Sequence, residues 1–106
     1  MKLADMMQQA QEMQQKMQTM QDELNEREVT GEAGGGLVKI SMSAKGQLHK
    51  INIDPELMKQ SQINILEDLI VAAFNQAHSK GKQLVEDETK RMMTNMGLPP
   101  NIKLPL

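Results

Sequence analysis

Leu3, Met6, Ala10, Met13, Met17, Met20 and Leu24 follow one another at gaps that alternate between three and four residues. That spacing predicts a helix within residues 1–27, from about Leu3 to Arg27 and about 37 Å long, with one narrow apolar seam along it. Gln8, Gln9, Gln11, Gln14, Gln15, Gln18 and Gln21 lie between the seam positions, uncharged and compatible with a neighbouring surface of either sign. So narrow a seam wants a partner helix, which makes its seven residues candidates for helix pairing or dimerisation.

The period then shortens to two. Glu28 to Glu32, with Val29-Thr30 bounded by Gly31, reads as a short strand, and Ala33-Gly34-Gly35-Gly36 as a flexible turn. From Leu37 to Ser43, Val38, Ile40 and Met42 alternate with Lys39, Ser41 and Ser43, which predicts a strand with one buried and one solvated face. Ala44-Lys45-Gly46-Gln47 is a turn, and Leu48 to Ile53 a further strand, with Ile51 and Ile53 opposite Lys50 and Asn52. Leu48 falls out of phase there, the mark of a bulge or a strand end. Residues 28–53 thus hold three short strands.

Asp54-Pro55 starts a helix, since Asp accepts from free amides and Pro suits the first helical position. Residues 54–96 carry a short helix, Pro55 to Lys59, then a long one from Ile63 to Asn95 after the break at Gln60-Ser61-Gln62. The long helix has a seam of Ile63, Leu66, Ile70, Ala73, Ala77 and Leu84, widened by Leu69 and Phe74. Gly81 interrupts it at a cost of about 1 kcal/mol relative to Ala. Its second half is more polar and is expected to project from the core. Gly97-Leu98-Pro99-Pro100 ends it, leaving a proline-containing tail over 97–106.

The expected fold is α+β, one domain over residues 1–106: long N-terminal helix, three-stranded antiparallel sheet, long C-terminal helix. Elements this few leave apolar seams uncovered in a single copy, so an intertwined or sheet-extended homodimer is expected.

Composition changes this picture in two places. Hydrophobic residues make up 39% of the 106-residue chain, yet Phe74 is its one aromatic and eleven residues are Met, so packing along seams replaces an aromatic-anchored centre. Cysteine is absent, which removes disulfides, thiolate nucleophiles and cysteine-ligated metals. The longest apolar run, Leu69 to Phe74, is far short of the ~20 residues of a membrane helix. A soluble cytoplasmic protein without membrane association is expected.

The net charge of −2 speaks against a uniformly basic nucleic-acid binder, but the charge is segregated. Residues 1–32 carry seven acids and three bases, whereas residues 33–53 carry three bases and no acid. Residues 54–68 are acidic again, and residues 69–85 hold two bases and no acid. A localised anion-binding face needs such a distribution.

Catalytic groups are nearly missing. His49 and His78 sit on different elements with no carboxylate at ligand spacing, and Asp54 is explained as a cap. Glu67 and Asp68 are neighbours that diverge by about 100° on a helix. Gly34-Gly35-Gly36 leads into a strand with no following Gly-Lys-Ser/Thr, which excludes a phosphate loop. No catalytic residue, metal ligand or cofactor is assigned, and enzyme activity is not expected.

Three ordered blocks carry a resemblance. Glu28-Val29-Thr30-Gly31-Glu32-Ala33-Gly34-Gly35-Gly36-Leu37-Val38-Lys39-Ile40, Ile53-Asp54-Pro55-Glu56-Leu57, and Glu67 to Ala77 resemble the YbaB/EbfC family of bacterial nucleoid-associated proteins. The Met/Gln-rich first helix and the Gly97-Leu98-Pro99-Pro100 segment are similar too. The resemblance implies a homodimer of helix–sheet–helix protomers whose long helices protrude like tweezers and bind duplex DNA in the cytoplasmic nucleoid. It further implies an influence on nucleoid organisation and gene expression, with recombination or replication proteins as candidate partners.

The bases free of adjacent acids are the DNA-binding candidates: Lys39, Lys45 and Lys50 around the hairpin, Lys80 and Lys82 mid-helix, and Lys90 and Arg91 beyond. Lysine is a point charge, aromatics for base stacking are missing, and no reading helix is recognisable, so phosphate contacts with low sequence specificity are expected. The alternative is a protein-interaction adaptor that uses the Met-rich seam and the C-terminal tail.

Overall fold

The structure is a computed structural model that describes residues 2–97; the proline-containing tail beyond Gly97 lies outside the described residues. Helix α1 spans Leu3–Glu26, strands β1 Glu28–Ala33, β2 Val38–Ser43 and β3 Leu48–Ile53 follow, and helix α2 spans Ile63–Asn95. The strands form an antiparallel meander in the order β1-β2-β3. The expected α+β class is the observed one. Where a short helix is expected at Pro55–Lys59, two 3-10 turns stand instead, Pro55–Leu57 and Gln60–Gln62. Asp54 caps the first, its Oδ1 accepting from Glu56 N–H at 2.9 Å.

The β1–β2 connection needs glycine, because Gly34, Gly35 and Gly36 all have positive φ, at 66°, 69° and 94°. The out-of-phase Leu48 has a definite cause. Ser41 pairs with Lys50 but Met42 pairs with Leu48, so His49 is the extra residue of a β-bulge. The turn that follows β2 is closed from within. Ser43 is buried, its Oγ accepts from Gln47 N–H at 3.0 Å, and its N–H donates to Gln47 O at 2.8 Å.

Val38, Ile40 and Met42 project from the central strand into the main core, where they meet Ala73 and Ala77 of α2 and Leu57. The buried line on α2 is Ala73, Ala77 and Gly81, three small residues at a spacing of four that let the helix backbone approach the sheet. A Cβ on Gly31 would lie 2.1 Å from Ala73 O and 2.6 Å from Ala77 N, so β1 and α2 touch backbone to backbone. Gly81 allows the same close approach a turn later, since a Cβ there would meet Ala44 O at 2.8 Å. The missing Cβ that lowers its helix propensity is thus what permits the close packing.

The second half of α2 leaves the sheet and pairs with the end of α1, where Met20 and Leu24 pack with Ala44, Leu84, Val85 and Met92. The result is an elongated protomer of 70 × 22 × 16 Å. Burial along the α1 seam therefore falls toward its N-terminus. Met20 and Leu24 are buried and Met13 and Met17 half-buried, but Ala10 is exposed, Met6 53% exposed and Leu3 72% exposed. Helix length explains the gradient, because α1 extends about 36 Å while α2 continues only about 21 Å past Gly81.

Candidate nucleic-acid interface

Lys39 and Lys50 stand on the sheet face turned away from α2. Lys39 alternates with buried Val38 and Ile40, and Lys50 pairs with Ser41 on the same side. Strand β1 brings carboxylates to that face. Glu32 is the direct cross-strand partner of Lys39, and Glu28 lies 3.9 Å from His49 Nδ1 through its Oε1. The acid-free stretch 33–53 is therefore not acid-free in space, and the sheet face is of mixed sign.

Lys80 and Lys82 do not act together. Two residues apart on a helix they diverge by about 200°, and they flank α2 on opposite sides. Lys80 follows Gln76 along the β1 edge, where Gln76 Oε1 accepts from Glu32 N–H at 2.8 Å. With Lys39 and Glu32 it borders a groove of about 440 Å³. Lys82 belongs to the other flank. Together with Lys45 and His78 it borders a groove of about 280 Å³ beneath the β2–β3 turn. His78 stands outside the sequence candidates because a lone histidine carries no spacing signal. The usable sign was its helical step from Phe74, on which its ring stacks at 5.9 Å and 13°.

Lys90 and Arg91 project on the helical arm among acids. Arg91 Nη2 is bonded to Glu88 Oε1, and the α1–α2 groove of about 550 Å³ sets Lys16 and Arg91 against Glu12, Glu23 and Glu88. Coulomb attraction to phosphates is largely offset there. Favourable cations are therefore concentrated at the sheet end of the molecule, not at the arm.

The sheet end also exposes apolar surface. β3 is an edge strand, and α2 crosses β1 and β2 without covering it. Ile51, paired with core residue Ile40, is 39% exposed, Leu48 is 45% exposed, and Val71 and Phe74 are exposed on the facing flank of α2. Among the described residues no helix is long and apolar enough to cross a membrane, and no three His, Cys, Asp or Glu side chains gather in metal-binding geometry.

A model of the YbaB/EbfC DNA-binding family matches residues 1–96. The nucleoid-associated protein mlr5504 of Mesorhizobium japonicum is 45% identical over 103 residues, 97% of this chain and 96% of that one. A nucleoid-associated protein of Brucella anthropi is 46% identical over 100 residues, 94% of each chain. The crystal structure of the uncharacterized protein HP0035 from Helicobacter pylori shares the fold at a TM-score of 0.67. It is 22% identical and the match covers 91% of this chain and 97% of that one.

Proposed function

The chain belongs to the YbaB/EbfC DNA-binding family, and from that premise we propose a homodimer that holds duplex DNA by its phosphates with little sequence preference. It is a nucleoid-associated DNA-binding protein and not an enzyme. The observation that carries the low-specificity reading is the kind of cation on the hairpin and the middle of α2, where Lys39, Lys45, Lys50, Lys80 and Lys82 are all lysines; the one arginine near them, Arg27, stands at the α1–β1 junction between Glu26 and Glu28. Lysine neutralises a phosphate as a point charge but lacks the planar fork that reads guanine bidentately. Lys90 and the Glu88-bonded Arg91 are lesser contributors.

Dimerisation is supported by the uncovered patch of Leu48, Ile51, Val71 and Phe74, an apolar surface that a symmetry-related copy would bury. Two copies double the lysines presented to one duplex, which raises affinity by linkage without new contacts. In the cytoplasmic nucleoid such binding bears on nucleoid organisation and gene expression. The exposed Leu3 and Met6 at the far end of the arm are where a protein partner, such as a recombination or replication protein, would engage.

Fluorescence anisotropy on two unrelated duplexes of equal length tests the specificity. Dissociation constants within about fivefold of each other are expected, since phosphate contacts carry no base information. A preference beyond about a hundredfold for one duplex, which takes direct base readout, would contradict it.

A further inference from the structure

Of the grooves on the described surface, three that include cations or border the arm also include carboxylates: Glu32 in one, Glu12 with Glu23 and Glu88 in another, Asp5 with Glu12 in the third. The groove beneath the β2–β3 turn is different. Lys45, Lys82 and His78 border it, and no acidic residue does. Its floor is fixed by the close packing of Gly81 on Ala44 and by the Ser43–Gln47 bonds that close the turn, so the cations stand on rigid supports. The His78 ring is held by its stack on Phe74. An imidazole offers an N–H donor in every protonation state, so His78 supplies direction where the lysines supply charge.

From this convergence we propose that the Lys45–His78–Lys82 groove is the principal phosphate clamp for duplex DNA. The proposal rests on the DNA-binding reading above and sharpens it by ranking one pair of lysines over the others. The ranking follows from electrostatics. Lys39 and Lys80 share their groove with Glu32, and Arg91 is bonded to Glu88, so a phosphate approaching them meets a carboxylate as well. The nearest carboxylate on the helical stripe of His78 and Lys82 is Glu86, one turn farther along the arm and outside the groove lining. The groove adjoins the apolar patch, since Leu48 pairs with Met42 of its lining and the Phe74 ring stacks on His78. Lys82 stands about 12 Å farther along the helix than Phe74, on the side of the groove away from the patch.

The test compares two double variants of the full chain on one duplex by anisotropy over a salt series. Lys45→Ala with Lys82→Ala is expected to weaken binding at least about tenfold at low salt. It should flatten the log–log salt dependence by roughly two per protomer. Lys39→Ala with Lys80→Ala removes two contacts that Glu32 partly offsets, and is expected to weaken binding by about three- to fivefold, less than the Lys45/Lys82 pair. His78→Gln, which keeps a donor, should bind nearly as wild type, and His78→Leu should bind about threefold more weakly with unchanged fold by circular dichroism. If the Lys45/Lys82 variant keeps wild-type affinity and slope, the clamp is overturned while DNA binding stands. If wild-type protein does not bind DNA at low salt, the reading beneath it fails as well.

Discussion

Gly31→Ala is expected to destabilise the protein by about 3 kcal/mol or more, a fall in Tm on the order of 12 °C or greater for a chain of this size. The added Cβ would lie 2.1 Å from Ala73 O and 2.6 Å from Ala77 N, and both obstacles are backbone. No rotamer change relieves such a clash. Strand β1 must separate from α2, which opens the layer that buries Val38, Ile40 and Met42. Gly35→Ala is the matching control, because nothing lies within 4 Å of its Cβ and only its positive φ of 69° opposes the change. That cost is about 1 kcal/mol. Thermal melts of the two variants side by side check the difference. Equal melting temperatures would show that α2 does not rest directly on the β1 backbone.

Leu48→Asp with Ile51→Asp is expected to convert the proposed dimer to a single chain of 11.9 kDa at micromolar concentration, read by light scattering. Both side chains are already substantially exposed in the single chain, so the fold tolerates the change. Dimerisation does not. Each apolar side chain removed from a buried interface loses about 1.5–3 kcal/mol, the loss occurs on both copies, and each carboxylate adds a desolvation cost. Weakening by a factor of at least about a hundred follows. DNA affinity should fall with it, because linked binding by two copies is lost. A double variant that keeps the dimer mass would move the interface elsewhere, most directly to the Leu3 and Met6 end of α1.

Much of the fold was legible because its signals are local. The three–four alternation from Leu3 to Leu24 and the period-two alternation around Val38, Ile40 and Met42 each report one element's buried face. Asp54-Pro55 marked a helical start correctly, although the Gln60-Ser61-Gln62 segment became a second 3-10 turn. Leu48 announced its bulge by being out of phase. Other features depend on tertiary neighbours and leave no local trace. Gly81 reads as a weak helix residue until Ala44 is seen against it. The α1 seam reads as uniform, yet its partner ends early, so Met20 is buried and Leu3 is not.

The sequence shows the candidate bases one by one but not the surfaces on which the fold places them. Sequence order separates Lys45 from Lys82 and His78, and the fold gathers them around one groove. Sequence order also couples Lys80 with Lys82, which the helix places on opposite flanks, and it hides the return of Glu32 beside Lys39. Whole-chain charge fails for the same reason. A value of −2 averages an acidic arm with a sheet end whose turn groove is bordered by lysines and by no acidic residue.

If the protein grips the DNA backbone through a small set of lysines, the salt dependence of its affinity for duplex DNA must report them. With Lys45 and Lys82 from each of two copies engaged, the logarithm of the association constant should fall linearly with the logarithm of salt concentration, at a slope of about −3.6 or steeper. A slope near zero, or no binding at low ionic strength, would show that these lysines do not hold DNA by its phosphates.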